Sequence, residues 1–271
     1  MRQAVIGRSV RGAAHVRSGT ECQDRFRRHV CEDGTLILAA ADGHGSAASP
    51  WSGTGARMAV NVFCDVLYEL HHAYCWNQDL LRAYLSREGD SRVAREIDRK
   101  WKERVLRFHR QRRRPWPDEE AAEEGIWRQY GTTLLGLMAA PEFVFVLQVG
   151  DGDICMVRDG AVTPLLEPAR MLGVETDSLC RRDAWKKMNT GLYRIRPAET
   201  LPTVFTLSTD GLCNSYPDDA AFRQTLKEYA ELVPRHGVRT VREHLTGWLN
   251  ETSRLGCGDD ITLVMGCWWD G

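Results

Sequence analysis

Apolar residues recur along this chain with two periods. Residues 1–41 read as short strands separated by a polar loop, RQAVIGRSV at 2–10, then HVRSGTECQDRF at 15–26, then GTLILAAAD at 34–42, and strands are read again in YGTTLLGLMAA at 130–140, EFVFVLQVGDGDICMVRDGAVTPL at 142–165, TVFTLSTDGL at 203–212 and DDITLVMGCWW at 259–269. Asp33-Gly34 and Arg158-Asp159-Gly160 supply tight turns between them. Between these blocks the period lengthens. Met58, Ala59, Val62, Phe63, Val66, Leu67 and Leu70 repeat at three and four, which predicts a helix with one buried face, capped by Ser52 or Thr54. Residues 79–113 read as charged and mostly helical, broken near Gly89-Asp90-Ser91 and stopped by Pro115 and Pro117. Two more helices are predicted around 219–233 and 238–253.

Strands joined by tight turns must pair antiparallel, and there is no βαβ repeat, so the pattern predicts an α+β fold with helices packed outside antiparallel sheets. No linker divides the chain. The expectation is a single domain over 1–271, carrying a charged helical insert at 77–128.

Composition narrows the function. A length of 271 residues with 43% apolar content supports a substantial core, and a formal net charge of −1 gives no general attraction to nucleic acid or an anionic membrane. The first residues hold no uninterrupted apolar segment, and no apolar run is long enough to span a bilayer, so a cytoplasmic location is expected. Nine cysteines without a C-x-x-C pair suggest neither a zinc knuckle nor a disulfide framework, and Cys64, Cys155 and Cys267 sit in apolar runs as small buried hydrophobes. Only five of the 36 basic residues are lysine, a bias that points to a GC-rich bacterial genome. The arginine run at 112–114 stands directly before an acidic stretch and reads as solvated surface.

The candidate chemistry lies where strands end. An aspartate beside glycine recurs as Ala41-Asp42-Gly43, Gly150-Asp151-Gly152-Asp153, Thr209-Asp210-Gly211 and Gly258-Asp259-Asp260. One such pair is an ordinary turn; several gathered at one end of buried sheets would repel unless neutralised. A hard divalent cation, magnesium or manganese, takes carboxylate and carbonyl oxygens, and glycine lets the backbone approach it closely. Asp151-x-Asp153 also resembles the nucleophile loop of haloacid-dehalogenase-type phosphatases, but Cys155 stands where that loop wants threonine, and those proteins alternate strands with helices.

In order, CQDRF (22–26), ADGHG (41–45), YGTTL (130–134), VGDGDICMVRDG (149–160), LSTDGL (207–212) and GDDITLVM (258–265) resemble the metal-dependent PP2C-type (PPM) protein phosphatases, from about residue 5 to 267. The resemblance implies a four-layer αββα sandwich with a two-metal centre, and a lid at about 164–195 containing Trp185, Lys186 and Lys187. It implies that Asp42 bridges the two ions, that the Gly43 carbonyl and Asp24 complete the shell of one, and that Asp210 and Asp259 hold the other. Asp151 matches a position that in many members helps to bind a third, weaker ion. The implied reaction is hydrolysis of phosphoserine and phosphothreonine in proteins by a hydroxide shared between ions about 3.5–4 Å apart. His44 occupies the family's general-acid position.

Three departures stand out. Gly19 replaces the arginine that commonly grips the substrate phosphate, leaving Arg17, Arg25 or His15 as candidates; Gln23 replaces the usual glutamate; Asp260 stands where asparagine is commoner. None removes an implied metal ligand. The expected partners are a phosphoprotein substrate and a cognate serine/threonine kinase, with no nucleic acid or membrane, and the chain is expected to act as a monomer. The alternative is a catalytically idle phosphoprotein-binding or scaffold module of the same fold, which Gly19 and Gln23 favour and the complete set of aspartates opposes.

Overall fold

A computed structural model describes residues 2–112, 122–167 and 176–270. The prolines expected to stop the helix, and part of the expected lid, lie outside the described residues. The chain opens with β1 (Arg2–Val10), a short helix α1 (Ala13–Ser18), and the hairpin β2 (Arg25–Val30) and β3 (Leu36–Ala41). Helices α2 (Ser52–Tyr74), α3 (Gln78–Glu88), α4 (Ala94–Gln111) and α5 (Ala122–Arg128) follow. Next come β4 (Leu134–Ala139), β5 (Val144–Val149), β6 (Asp153–Arg158), β7 (Ala161–Pro164), β8 (Asn189–Tyr193) and β9 (Thr203–Ser208). The chain then forms α6 (Asp210–Cys213), α7 (Asp219–Leu255) and β10 (Ile261–Trp269).

The strands form two five-stranded sheets, ordered β1-β10-β9-β6-β7 and β2-β3-β4-β5-β8, with every pairing antiparallel. Alternation along each strand divides the core into three slabs. Leu36, Leu38 and Ala40 of β3 face the other sheet, meeting Phe205, Leu207 and Val264. Ile37, Ala39 and Ala41 face the helices instead, packing with Phe63, Leu67 and Trp101. On the opposite side Leu263 and Met265 pack with Phe222, Leu245 and Leu249 of α7. The expected four-layer αββα sandwich is what the chain builds.

Several local expectations are corrected. Residues 15–26 are not a strand: Ala13 and Ala14 begin a helical turn, Gly19 ends it in the left-handed region at φ 80°, and extended structure starts only at Arg25. Neither Ser52 nor Thr54 caps α2; Trp51 holds the cap position and makes no capping bond, and the Ser52 hydroxyl is buried without a partner among the described residues. At Gly89 the chain stays helical, passing from α3 to α4 through a π turn over Gly89–Val93. A Cβ on Gly89 would stand 2.8 Å from Phe145 Cε2, so glycine is kept for close packing. The two helices expected near 219–253 do occur, as halves of α7 broken at Gly237 (φ 80°, ψ 158°) just after Pro234.

The expected insert is more than a solvated face. Ile97, Trp101 and Val105 of α4 are buried against α2, and Trp101 Nε1 donates to the Gly55 carbonyl at 3.0 Å. Within the expected lid, β8 belongs to a sheet, pairing with β5 from Val144↔Tyr193 to Gln148↔Asn189. Trp185 is held under the Arg95 guanidinium, 3.9 Å from the ring centroid. None of the nine cysteines is joined in a disulfide. Among the described residues no helix is long and apolar enough to cross a membrane.

The closest backbone approach gives a stability test. A Cβ on Gly55 would lie 1.8 Å from the Tyr130 carbonyl oxygen, whereas one on Gly247 in α7 meets nothing within 4 Å. Gly55→Ala is expected to cost about 1–3 kcal/mol or more through overpacking. Gly247→Ala is expected to gain up to about 1 kcal/mol from helix propensity. Urea unfolding midpoints measure both.

Candidate metal centre

Antiparallel pairing puts the end of one strand beside the start of the next, and one such edge collects the acids. Asp42 follows β3, Asp210 opens α6 directly beyond β9, Asp259 precedes β10, Asp24 precedes β2, and Asp151 lies in the β5–β6 turn. Asp42, Asp151, Asp210 and Asp259 line a cavity of about 510 Å³ together with Gly43 and His44. Asp24 is fully buried behind it.

Hydrogen bonds hold each acid in place. The Asp42 amide donates to Thr133 Oγ1 at 3.0 Å, while its carbonyl accepts from Thr132 Oγ1 at 2.7 Å and the Thr133 amide at 2.9 Å. These bonds leave the Gly43 carbonyl out, and a Cβ on Gly43 would come within 2.8 Å of the Ser52 backbone, so only glycine fits. Asp24 Oδ2 accepts from Thr209 Oγ1 at 2.6 Å, and Oδ1 is buried without a donor. Thr176 Oγ1 donates to Asp151 Oδ2 at 2.8 Å.

The electrostatics follow. Burial raises the Asp42 carboxyl well above the usual range, and the charges of Asp24, Asp210 and Asp259 raise it further. Asp210 is pushed up to about 6 by burial, then by Asp151 and Asp259. Burial also raises Asp24, against the Thr209 bond and with a further push from Asp260. Carboxyls that resist ionising, one with an orphaned buried oxygen, fit a divalent cation. The donor set is oxygen throughout, which suits magnesium or manganese over softer metals.

Asp260 has its own explanation. Its Oδ1 accepts from the Gly12 amide at 2.6 Å and meets His15 Nδ1 at 2.8 Å, while Oδ2 accepts from the Gln23 amide at 2.6 Å. An asparagine, with one acceptor oxygen, leaves part of that donor set unmet. The carboxylate thereby ties the β1–α1 corner to the residue preceding Asp24. Gly12 and Gly211 permit the approach, since a Cβ on either would lie 2.4 Å or less from backbone of residues 259–260.

Of the phosphate-binding candidates, only His15 lines the cavity. Arg17 is exposed on α1. Arg25 is turned away, donating to the carbonyls of Cys22 at 2.7 Å and Asp24 at 2.6 Å. Two arginines outside every motif line the cavity instead: Arg128 at the end of α5 and Arg181 before the Ala184–Lys187 turn. Both neighbour a contact of one buried lysine. Lys102 Nζ donates to the Arg182 carbonyl at 2.5 Å, lies 2.8 Å from the Asp98 carboxylate, and stands over the Trp127 ring at 4.7 Å. No sequence signal marks these arginines, because the contact that delivers them is tertiary. His44 also faces the cavity; its amide donates to the Gly131 carbonyl at 3.1 Å.

Comparison with known proteins places this arrangement. The family model for protein phosphatase 2C matches residues 11–250, and the chain belongs to that family. Serine/threonine-protein phosphatase 3 of Escherichia coli K12 is 25% identical over 184 residues, covering 66% of this chain and 63% of that protein, so the match spans just under two thirds of the relative's length. The serine/threonine phosphatase PstP/Ppp of Mycobacterium tuberculosis shares the fold with a TM-score of 0.59 at 17% identity over the whole of both chains. The PstP catalytic domain in complex with two manganese ions superposes with a TM-score of 0.58 at 17% identity over 99% of each chain.

The raised carboxyls fix the sign of a pH dependence. Without metal, the folded protein keeps protons on acids that the unfolded chain loses at the ordinary 3.8, so stability falls as pH rises from there through about 6 for Asp210 and further for Asp24 and Asp42. Urea midpoints in chelator are expected to drop between about pH 5 and about pH 8, and saturating manganese is expected to remove the drop. Asp42→Asn, by relieving repulsion, should flatten the chelator curve.

Proposed function

We propose that this protein is a magnesium- or manganese-dependent phosphatase that hydrolyses phosphoserine and phosphothreonine in proteins, with a serine/threonine kinase as its counterpart in the cytoplasm. The convergence of Asp42, Asp210 and Asp259 at the mouth of one cavity, over the buried Asp24, carries the reading. Asp42, the Gly43 carbonyl, Asp24, Asp210 and Asp259 would hold the cations, with Asp42 the carboxylate they would share, and Asp151 would offer a further, weaker position. The two manganese ions of the PstP complex and family membership support this assignment.

When bound, such ions bring the pKa of water into the neutral range and neutralise phosphoryl oxygens. The protein's own groups do the rest. Arg128 and Arg181, which both line the cavity, grip the phosphoryl group in the role left open by Gly19. Serine and threonine alkoxides leave poorly, and His44 donates the proton they need. Gly131 seats that ring, since a Cβ there would be 2.6 Å from His44 Cδ2. Thr209 fixes Asp24 by its hydroxyl and, through the Thr262 amide donating to the same oxygen at 2.8 Å, ties α6 to β10.

Phosphate release from phosphopeptides in manganese tests the assignment. Asp42→Asn and Asp210→Asn are expected to abolish it while circular dichroism stays unchanged; turnover equal to the parent would overturn the metal roles. His44→Ala is expected to slow phosphopeptide hydrolysis by about 100-fold or more, and hydrolysis of p-nitrophenyl phosphate far less, because that leaving group needs little protonation. Arg128→Ala is expected to raise KM about tenfold through loss of a charge-assisted bond, with Arg17→Ala unchanged. The opposite ranking would return the phosphate to α1.

A further inference from the structure

A second cluster of metal-ligating side chains lies well away from the aspartates, where the β2–β3 hairpin meets the end of α2. Cys31 Sγ, a carboxylate oxygen of Asp33 and a ring nitrogen of His71 all lie within 4.8 Å of one another. The three come from different places: Cys31 directly follows β2, Asp33 sits in the hairpin turn, and His71 is in the last turn of α2. From these residues we infer a structural zinc site, formed by Cys31, Asp33 and His71, that clamps the hairpin to α2.

The donor chemistry selects the metal. One thiolate, one imidazole and one carboxylate make a borderline-soft set that suits zinc, whereas the all-oxygen set around Asp42 suits magnesium or manganese. Cys31 and His71 are each 7% exposed, while the Asp33 side chain keeps 33% exposure, which leaves a way in for the ion. The carboxylate is already aimed. Asp33 Oδ2 meets His71 Nε2 at 2.9 Å and accepts from Gln78 Nε2 at 2.8 Å; Oδ1 accepts from the Thr35 amide at 2.9 Å. These bonds set the side chains of hairpin and helix around one point.

Two groups there lack what a cation would give. Gln78 Oε1 is buried without a hydrogen-bond partner, beside the amide nitrogen that contacts Asp33, and rotation of the amide makes it a fourth ligand. The Cys31 thiol makes no hydrogen bond among the described residues, and burial, with the Asp33 charge behind it, pushes its pKa up to about 11. A zinc ion reverses that preference. The balance is simple: Zn²⁺ enters, the thiol releases one proton, and His71 coordinates through an unprotonated nitrogen, its ring proton moving to the other nitrogen. Thiolate, carboxylate and cation then sum to zero formal charge, which suits a half-buried position.

Cobalt(II) added to the reduced, chelator-treated full chain tests this directly, because a thiolate ligand gives a charge-transfer band in the near ultraviolet. One equivalent is expected to produce the band in the parent and equally in Asp42→Asn, which separates it from the catalytic pocket. Zinc should bleach the band, and excess magnesium should not. Cys31→Ser should lose it, and zinc added over saturating manganese should raise the melting temperature of the parent but not of Cys31→Ser. Should that variant fail to fold, His71→Gln carries the same comparison. A band that persists in the folded variant assigns cobalt to other thiols and overturns the inference, as does a folded parent with no band.

Discussion

The mutual repulsion of Asp24, Asp42, Asp210 and Asp259 is what the two sheets have to withstand, and much of the architecture reads as restraint on those four side chains. Hydrogen bonds hold them beside strand ends: Asp42 by Thr132 and Thr133, Asp24 by Thr209, Asp210 by the Asn214 amide, and Asp259 through the Ser253 hydroxyl donating to its carbonyl at 2.8 Å. Behind them stand strands buried on both faces, as in β3 and β9, where no residue is free to relax outward. A close-packed interior does not deform continuously, so the acids stay in register although their charges push them apart. Local stability is given up here to hold four acids together.

The departures from the family's motifs turn out to be connected. Gly19 serves as the left-handed end of α1, which places His15 against Asp260. The carboxylate at 260 then draws in Gly12 and the Gln23 amide, so the corner preceding Asp24 is held by one buried acid from the far end of the chain. Positive charge at the cavity comes from elsewhere. Lys102, on a helix that the motifs do not include, steadies the segments carrying Arg128 and Arg181. The helical insert thus belongs to the wall of the pocket rather than to a detached docking arm.

Sequence pattern was informative wherever one period dominated. Apart from β8, which lay within the expected lid, the strands from 130 onward, α2 and both halves of α7 followed directly from apolar spacing, and the clustering of Asp-Gly pairs at strand ends anticipated a shared edge, since antiparallel pairing must bring alternate ends together. Residues 15–24 were misread because the six helical residues of α1 are too few to show a 3.6 period and run into a polar stretch that suits a strand equally well. The reach of α4 was underestimated for a related reason: Ile97, Trp101 and Val105 are spaced by four, but charged neighbours conceal the stripe. Arg128, Arg181 and the contacts of Asp260 could not be read at all. They depend on which residues lie side chain to side chain across the fold, and one sequence carries no record of that.

The register of β1 carries one more implication. β1 pairs along its full length with β10, Arg2↔Trp269 through Val10↔Ile261, and among the described residues it is an edge with no second neighbour. During synthesis its backbone amides and carbonyls therefore wait for their mates until residues 261–269 have been made. Asp259 and Asp260 arrive in the same step. Until that stretch has been made, β1 has neither its pairing partner nor the two acids beside it, and its open backbone groups can pair with foreign strands.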